Sequence, residues 1–487
     1  MKKIFILLTI FSFIASSCSD VLEVEPLQSV DSENALKTQT DVESAVIGLY
    51  SILGRGSLYG TNISFLSELL GAEQSIRWRG TFQSYRQVGG KTMDSENAEA
   101  TRTWVNAFAG INLANNVLAA LDKVEDDDLR LTLEGEAKLV RGLLHFELVR
   151  LYGRAWNDGN PAVNLGVPIW LTPTINEQTA SELPSRATVA QVYQQVIADM
   201  EDAEGLLPED NGDRLDTYAA SAFLARVYLQ QSNYTEALDK ANRVISSDKY
   251  SLNSSVTAIF LNDNTNESIF EIQQNDQNNA GNGNDGLATF YASLDGIGRG
   301  DVQVLAFFSD DPDDYIFNDR VTIYDQYETQ DKRFTELFYF GTDFSRRPGR
   351  LTTFKWNNPG QNIPVVRLAE MYLIRAEANL QLGTSVGDSP LNDVNLIRER
   401  AEASLLGAVT LNDVIQERKL ELAFEGVRIH DVKRLEQEID GYFFDGDLNT
   451  YVLDYSIAWD DQFMILPIPQ REIDANENLR NQQNSGY

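Results

Sequence analysis

The residues of this chain best suited to chemistry are aromatic side chains set among polar ones. Trp78, Phe82 and Tyr85 lie within eight residues of one another, and arginines, Arg79 among them, are interleaved with them. A sugar ring has an apolar face of C–H groups, which an aromatic ring can cover, and a rim of hydroxyls, to which guanidinium and amide groups can hydrogen-bond. The spacing therefore predicts carbohydrate binding, although packing in a core explains each ring taken singly at least as well.

Three more residues of this kind, Tyr291, Arg299 and Trp356, lie in a second region of the same character. Residues 54–100 and 251–362 are both rich in turn-forming, amide and aromatic residues, and both are predicted to be non-helical insertions. Long irregular segments on a rigid scaffold often carry out a protein's binding. The predicted glycan-binding residues are therefore Trp78, Arg79, Tyr85, Tyr291, Arg299 and Trp356.

Residues for catalysis or for a bound metal are scarce. The two histidines, His145 and His430, have no nearby cysteine and no serine in a nucleophile elbow, and a single cysteine cannot build a zinc site from several thiolates. The acidic runs at residues 126–128 and 310–314 lack EF-hand spacing, so solvated loops explain them better, with a structural calcium ion as the alternative. We therefore expect no enzymatic activity and no other cofactor. Because 73 acidic residues guarantee chance carboxylate pairs, a glycoside hydrolase stays open as an alternative function.

The charge balance of the chain excludes one large class of partner. Against 40 basic residues stand 73 acidic ones, which gives a formal net charge of −33 at pH 7. Nucleic acids are bound through Lys and Arg side chains that neutralise phosphates, so no nucleic-acid partner is expected. The same excess of acid disfavours a strongly anionic glycan, and we expect a neutral glucan such as a β-1,3-glucan or starch. The local basic patch at Arg77, Arg79 and Arg86 keeps an anionic glycan open as the alternative.

The N-terminus predicts where the protein resides. Two lysines, an apolar run at residues 4–14 and small residues at 15–17 precede Cys18, the only cysteine of the chain. The apolar run is too short to span a bilayer, and a small-residue triplet before a lone cysteine is typical of a bacterial lipoprotein signal. We therefore expect a signal peptide at residues 1–17 and an acylated tether at residues 18–34, whose acyl chains hold the protein to a membrane.

Most of the remaining chain has helical periodicity. Residues 136–152 and 190–207 are amphipathic, and residues 217–245 and 366–401 each predict a pair of helices. Small and aromatic residues recur in these pairs at the offsets of a tetratricopeptide repeat. The sequence thus predicts a mainly α fold, in which one domain at residues 35–487 consists of a helical-repeat scaffold with two long irregular insertions and few short strands.

Several motifs give the chain a specific resemblance. It resembles the SusD/RagB family of outer-membrane nutrient-binding lipoproteins of Bacteroidetes over nearly all the sequence after Cys18, with a weaker match at residues 255–360. The most distinctive motifs are RLAEMYLIRAEA at residues 367–378 and ERKLELAFEG at residues 417–426, and LPIPQ at residues 466–470 completes the match near the C-terminus.

The resemblance implies both an architecture and a function. Members of that family have four tetratricopeptide-type units beneath an irregular ligand-binding face, and they have no catalytic residues. They sit on the outer membrane, exposed at the cell surface, as a lid over a TonB-dependent SusC-like transporter. There they capture oligosaccharides or polysaccharides and release them into the barrel. A repeat scaffold that binds only protein partners is the remaining alternative.

Overall fold

A computed structural model of the chain describes residues 36–72, 76–175, 177–304, 326–342, 350–445 and 450–487. Cys18 and the acidic run at residues 310–314 lie outside the described residues. The helices, in chain order, are α1 (Gln39–Leu53), α2 (Asn62–Gly71), α3 (Gln83–Gly90), α4 (Ala98–Ala119), α5 (Asp127–Tyr152), α6 (Glu177–Ala180), α7 (Val189–Leu206), α8 (Thr217–Gln230), α9 (Tyr234–Ile245), α10 (Ala258–Leu261), α11 (Leu287–Tyr291), α12 (Lys332–Glu336), α13 (Leu368–Leu382), α14 (Pro390–Arg400), α15 (Leu411–Glu421), α16 (Arg428–Arg434) and α17 (Gln470–Ala475). The strands are β1 (Ile76–Trp78), β2 (Ser268–Ile272), β3 (Val302–Val304), β4 (Phe338–Phe340), β5 (Leu351–Thr353), β6 (Ile363–Arg367), β7 (Ile439–Asp445) and β8 (Thr450–Ile457).

The long helices pack in a row, each against the next. Helix α4 packs on α5, α5 on α7, α7 on α8, α8 on α9 and α9 on α13, which also packs on α14 and α15. In the described ranges the strands form two-stranded antiparallel pairs, β1–β3, β2–β6, β4–β5 and β7–β8. The predicted mainly α, helical-repeat fold with few short strands is confirmed. None of the helices in those ranges is long and apolar enough to cross a membrane.

Three helices begin with the same local signal. Thr38, Thr188 and Thr410 each accept a hydrogen bond from the backbone N–H three residues later, whose own side chain bonds back to the threonine N–H. Such capping boxes satisfy backbone donors that have no partner inside the helix. The starts of α1, α7 and α15 are therefore determined by neighbouring residues in the chain.

The pair α8–α9 shows how a predicted repeat unit folds. The two helices predicted within residues 217–245 are separated at residues 231–233, where Ser232 takes a left-handed backbone conformation with φ of 55°. The Asn233 side chain then caps α9 by accepting from the Glu236 N–H. On the inner face of α9 the small residue Ala241 is buried, which lets the neighbouring helices approach closely.

The first insertion is more helical than predicted. Residues 54–100 contain α2, α3 and the start of α4. Helix α2 is buried on all sides, and its polar residues Asn62, Ser67 and Glu68 are buried with the apolar ones. A helix without a solvated face has no amphipathic period, so its sequence lacks the signal by which the other helices are predicted.

A buried network of arginines and carboxylates joins several of these elements. Glu421 on α15 accepts from Arg367 at 2.6 Å, from Arg333 at 3.0 Å and from Arg400, and Glu267 accepts from Arg367 at 2.9 Å and from Arg400 at 2.8 Å. All five side chains are at most 6% exposed. Burial by itself would raise the pKa of the Glu421 carboxyl, but the three arginines hold it well below its usual value. The network is therefore charged on both sides.

Removing the central carboxylate should destabilise the fold. Glu421→Gln leaves buried guanidinium groups without their counter-charge, and we expect the free energy of unfolding to fall by about 3–5 kcal/mol. Denaturant titration measures this loss. The matched control is Glu336→Gln, which breaks an exposed pair with Lys332 at 3.2 Å and should cost less than about 1 kcal/mol. Equal losses in the two variants would contradict a central role for the network.

Glu68 on α2 is a second buried carboxyl, and it has fewer charged partners. It accepts from the Gly426 N–H at 2.8 Å. Burial raises the pKa of Glu68 to about 7, against smaller opposing effects from the Gly426 N–H and Arg428. The folded protein therefore keeps this proton at pH values where the unfolded chain, with an ordinary Glu pKa of about 4.3, has lost it.

This difference predicts a pH-dependent contribution to stability. The folded state binds the proton more tightly, so the contribution of Glu68 to stability falls as the pH rises towards 7 and is constant above that. Glu68→Gln removes the titration, while the amide oxygen can still accept from Gly426. The free energy of unfolding of the variant minus that of wild type should rise by about 3–4 kcal/mol across this window, as measured by urea titration. If the difference in free energy of unfolding between Glu68→Gln and wild type does not change with pH, Glu68 does not titrate in this window.

Candidate functional site

A short antiparallel ladder places the first two predicted site residues. Strand β1 pairs with β3 so that Trp78 lies opposite Val302, and the Arg79 N–H donates to the Asp301 carbonyl at 2.6 Å. The Arg79 side chain donates from Nε to Gln303 Oε1 at 3.0 Å. The ladder thus joins the first insertion to the second. This pairing between distant segments cannot be read from either segment of the sequence alone.

Beneath this ladder, Trp78, Tyr85 and Tyr291 pack with Phe65 and Phe290 in a buried aromatic cluster. The Phe65 ring centroid lies 5.2 Å from that of Tyr85, 5.3 Å from Phe290, 5.7 Å from Trp78 and 5.8 Å from Tyr291. All five side chains are buried. A ring covered by protein has no free face for a sugar, so the predicted stacking roles of Trp78, Tyr85 and Tyr291 are corrected: these side chains support the surface from below.

Trp356 is also part of the core, with 1% of its surface exposed. Its Nε1 donates to the Phe424 carbonyl at 3.0 Å, and its ring meets Phe260 edge-on at 5.8 Å between centroids. The predicted glycan contact of Trp356 is therefore corrected in the same way. The four aromatic residues lie in glycine-rich sequence, but residues from distant segments cover them.

Phe82 is the aromatic residue of this region that reaches the surface, with 36% of its area exposed. Its ring lies nearly parallel to that of Trp78, with an interplanar angle of 12° and a centroid distance of 6.3 Å. Trp78 Nε1 donates to the Phe82 carbonyl at 2.9 Å, which fixes the turn between them. A Cβ on Gly80 would lie only 2.3 Å from the Trp78 ring, so this turn requires glycine. Phe82 was absent from the predicted site, although its place in the aromatic run pointed to it.

Arg299 lies beside Phe82, as a binding role requires. Its guanidinium carbon is 5.4 Å from the Phe82 ring centroid and 5.5 Å from that of Phe290, within the range of cation–π contact. Arg299 Nε donates to Asp301 Oδ2 at 2.6 Å, and another nitrogen donates to the Asn284 carbonyl at 3.3 Å. Asp301 thus connects the two arginines, because its carboxylate accepts from Arg299 and its backbone carbonyl accepts from the Arg79 N–H. Arg86 donates to the carbonyl of Gly80 in the turn before Phe82 at 3.0 Å. We call this surface the Phe82 face; it comprises Arg79, Phe82, Arg86, Asn284 and Arg299.

The histidines are placed in the protein interior. His145 Nδ1 lies 2.9 Å from the Arg141 carbonyl, and burial lowers the pKa of His145 to about 4. His430 Nε2 lies 3.2 Å from Ser67 Oγ, and burial followed by nearby positive charges holds the pKa of His430 well below its usual value. In the part of the chain that the structure describes, no group of three or more His, Cys, Asp or Glu side chains could hold a metal ion.

Comparison with known proteins assigns the chain to a family. The model of the SusD family matches residues 352–487, and a model described as starch-binding and associating with the outer membrane matches residues 20–229. The SusD-like protein P2 of Formosa agariphila is 26% identical to this chain over 100% of both proteins. The chain belongs to the SusD/RagB family.

Two further SusD proteins are similar to this chain, one in sequence and one in fold. The starch-binding protein SusD of Bacteroides thetaiotaomicron is 33% identical over 28% of this chain and 26% of its own length. A crystal structure of a SusD superfamily protein from the same organism superposes with a TM-score of 0.75 at 26% identity, covering 92% of this chain and 99% of that one.

The most distinctive motifs of this SusD/RagB chain have a structural role. Arg367 begins the motif at residues 367–378, and Glu421 is in the middle of the motif at residues 417–426. Both side chains are in the buried network described above. Glu370, from the first motif, likewise accepts from an arginine of the second, in a buried pair at 3.0 Å. These motifs therefore identify the scaffold and carry no information about the ligand.

Proposed function

We propose that this protein is a non-catalytic lipoprotein of the cell surface that captures an oligosaccharide or polysaccharide and delivers it to a TonB-dependent SusC-like transporter. The observation that carries the proposal is the Phe82 face, where an exposed aromatic ring lies beside a guanidinium group. The family model described as starch-binding and associating with the outer membrane supports both the ligand class and the location.

A neutral glucan suits this surface better than an anionic glycan. Arg299 is neutralised by its ion pair with Asp301, and the chain as a whole carries a net charge of −33. Arginine N–H groups still donate hydrogen bonds when their charge is paired, and sugar hydroxyls accept them. The exposed ring of Phe82 offers an apolar surface for the C–H face of a sugar.

Binding to polysaccharides tests the proposal directly. In affinity electrophoresis across glucans, mannans, xylans and alginate, we expect a neutral glucan to retard the protein. Phe82→Ala should weaken this binding about fivefold, because the loss of one ring contact costs roughly 1 kcal/mol. The matched control is Leu405→Ala, which truncates an exposed apolar side chain in the α14–α15 loop and should leave binding unchanged.

Each alternative function has its own result in this experiment. New reducing ends released from any polysaccharide would indicate a glycoside hydrolase. An absence of retardation by every polysaccharide, together with co-purification of a transporter, would indicate a scaffold that binds only proteins. Retardation that Phe82→Ala leaves unchanged would refute the Phe82 face as the site while leaving glycan binding in place.

The proposed anchoring depends on Cys18, the only thiol of the chain. Acyl chains on this residue would hold the protein to the membrane, at about 0.8 kcal/mol per buried CH₂. Cys18→Ser should therefore move the protein from the membrane fraction to the soluble fraction and abolish incorporation of labelled fatty acid. Ser19→Ala keeps the thiol and should leave the protein in the membrane fraction. An unchanged distribution of the Cys18 variant would refute the lipid anchor.

A further inference from the structure

A concave surface shares the asparagine-rich turn at residues 274–285 with the Phe82 face. It is a cleft of about 540 Å³ between the C-terminal half of α1, the loop at residues 213–214, strand β2 and the asparagine-rich turn at residues 274–285. This volume lies within the usual range of small-molecule sites. We call it the Tyr50 cleft.

The floor of the Tyr50 cleft is aromatic and aliphatic. The Tyr50 and Phe270 rings meet at a centroid distance of 6.2 Å, and the Tyr50 hydroxyl is held by a hydrogen bond to Glu136 Oε1 at 2.5 Å. The guanidinium carbon of Arg214 lies 5.6 Å from the Tyr50 ring centroid. Ile47, which also lines the cleft, has 62% of its surface exposed.

The rim of the cleft is rich in neutral amides. Gln273, Gln274, Asn278 and Asn279 all line it. A primary amide both donates and accepts hydrogen bonds, as a sugar hydroxyl does, so amides pair with hydroxyls in either direction. The charged lining residues are mixed in sign, and comprise Asp213, Glu271, Asp285, Arg55 and Arg214. With more carboxylates than guanidinium groups, this lining disfavours phosphate and other polyanions.

Glu271, in the wall of the cleft, is held by several polar neighbours. Glu271 is buried, and its Oε2 accepts from the Asn264 N–H at 2.9 Å and from Asn362 at 3.0 Å. Among the described residues, its Oε1 and the Nε of Arg214 have no hydrogen bond of good geometry. Ser268 Oγ lies beside Glu271, and its hydrogen bond helps to lower the pKa of that carboxyl against the larger opposing effect of burial.

The asparagine-rich turn connects the cleft to the Phe82 face. Asp285 lines the cleft and pairs with Arg102, while the preceding residue, Asn284, accepts from Arg299 of the Phe82 face. The two surfaces therefore lie on either side of residues 284–285. One extended molecule that crosses this turn can contact both.

We propose that the Tyr50 cleft is a second carbohydrate subsite, which binds a neutral sugar unit of the same glycan chain that contacts the Phe82 face. The apolar floor covers the C–H face of the sugar, and the amide rim pairs with its hydroxyls. This inference rests on the proposed glycan-binding function.

The test fills the cleft without disturbing the core. Ser51 lies on the exposed side of α1 and lines the cleft, and Ser44 is exposed on the same helix outside it. Isothermal titration with laminarihexaose and maltoheptaose compares Ser51→Trp, Ser44→Trp and wild type. For the oligosaccharide that wild type binds, Ser51→Trp should change the affinity about fivefold or more, and Ser44→Trp should leave it within about twofold. Asn278→Ala, which removes one exposed rim amide, is the second variant and should also weaken binding.

The results separate this inference from the proposed function. If Ser51→Trp and Asn278→Ala both bind as wild type does, while Phe82→Ala binds more weakly, the cleft is not a subsite and the proposed function stands. If Ser51→Trp changes the affinity and Phe82→Ala does not, the cleft is confirmed as a glycan contact and the Phe82 face is refuted. If wild type binds neither oligosaccharide and no polysaccharide of the panel, the proposed function and this inference are both overturned.

Discussion

The structure depends on the arginine–carboxylate network around Glu421. Arg367, at the junction of β6 and α13, bonds at once to Glu421 on α15, to Glu267 beside β2 and to Glu425 beyond α15. Buried charges are tolerated only when each has its partners, and the loss of one leaves the others uncompensated. The network therefore requires one relative arrangement of the segments that supply it. Apolar packing alone would accept a wider range of arrangements.

A continuous set of contacts leads from this network to the surface. Lys355 donates to the Glu421 carbonyl at 2.9 Å, and its neighbour Trp356 donates to the Phe424 carbonyl at 3.0 Å. Thr352, on the preceding strand, donates to the Tyr291 carbonyl at 2.6 Å. Tyr291 belongs to the aromatic cluster on which the ring of Phe82 lies. The buried aromatic residues thus hold the exposed ring of Phe82 and the neighbouring Arg299 in place.

The two candidate binding surfaces have similar compositions, and both suit a weakly charged, hydroxyl-rich ligand. Each combines an apolar surface with hydrogen-bonding groups whose charge is balanced locally, as Arg299 is by Asp301 and Arg214 is by Glu136. The lining of the Tyr50 cleft carries more carboxylates than guanidinium groups, which disfavours a polyanion there. The asparagine-rich turn contributes to both, so its amides are placed where a single extended chain would meet them.

The sequence by itself determined the features that depend on near neighbours in the chain. The helical periods and the recurring small and aromatic residues are local, and they predicted the α-helical repeats correctly. The motifs predicted the family, because a network that needs both members of each ion pair restricts residue types at many positions. Only the tertiary structure decided which aromatic residues reach solvent. Trp78 and Phe82 are four residues apart in the same run, yet Phe65, Phe290 and other distant residues cover the first and leave the second exposed. Burial is a property of what packs against a side chain, and that information is spread over the whole chain.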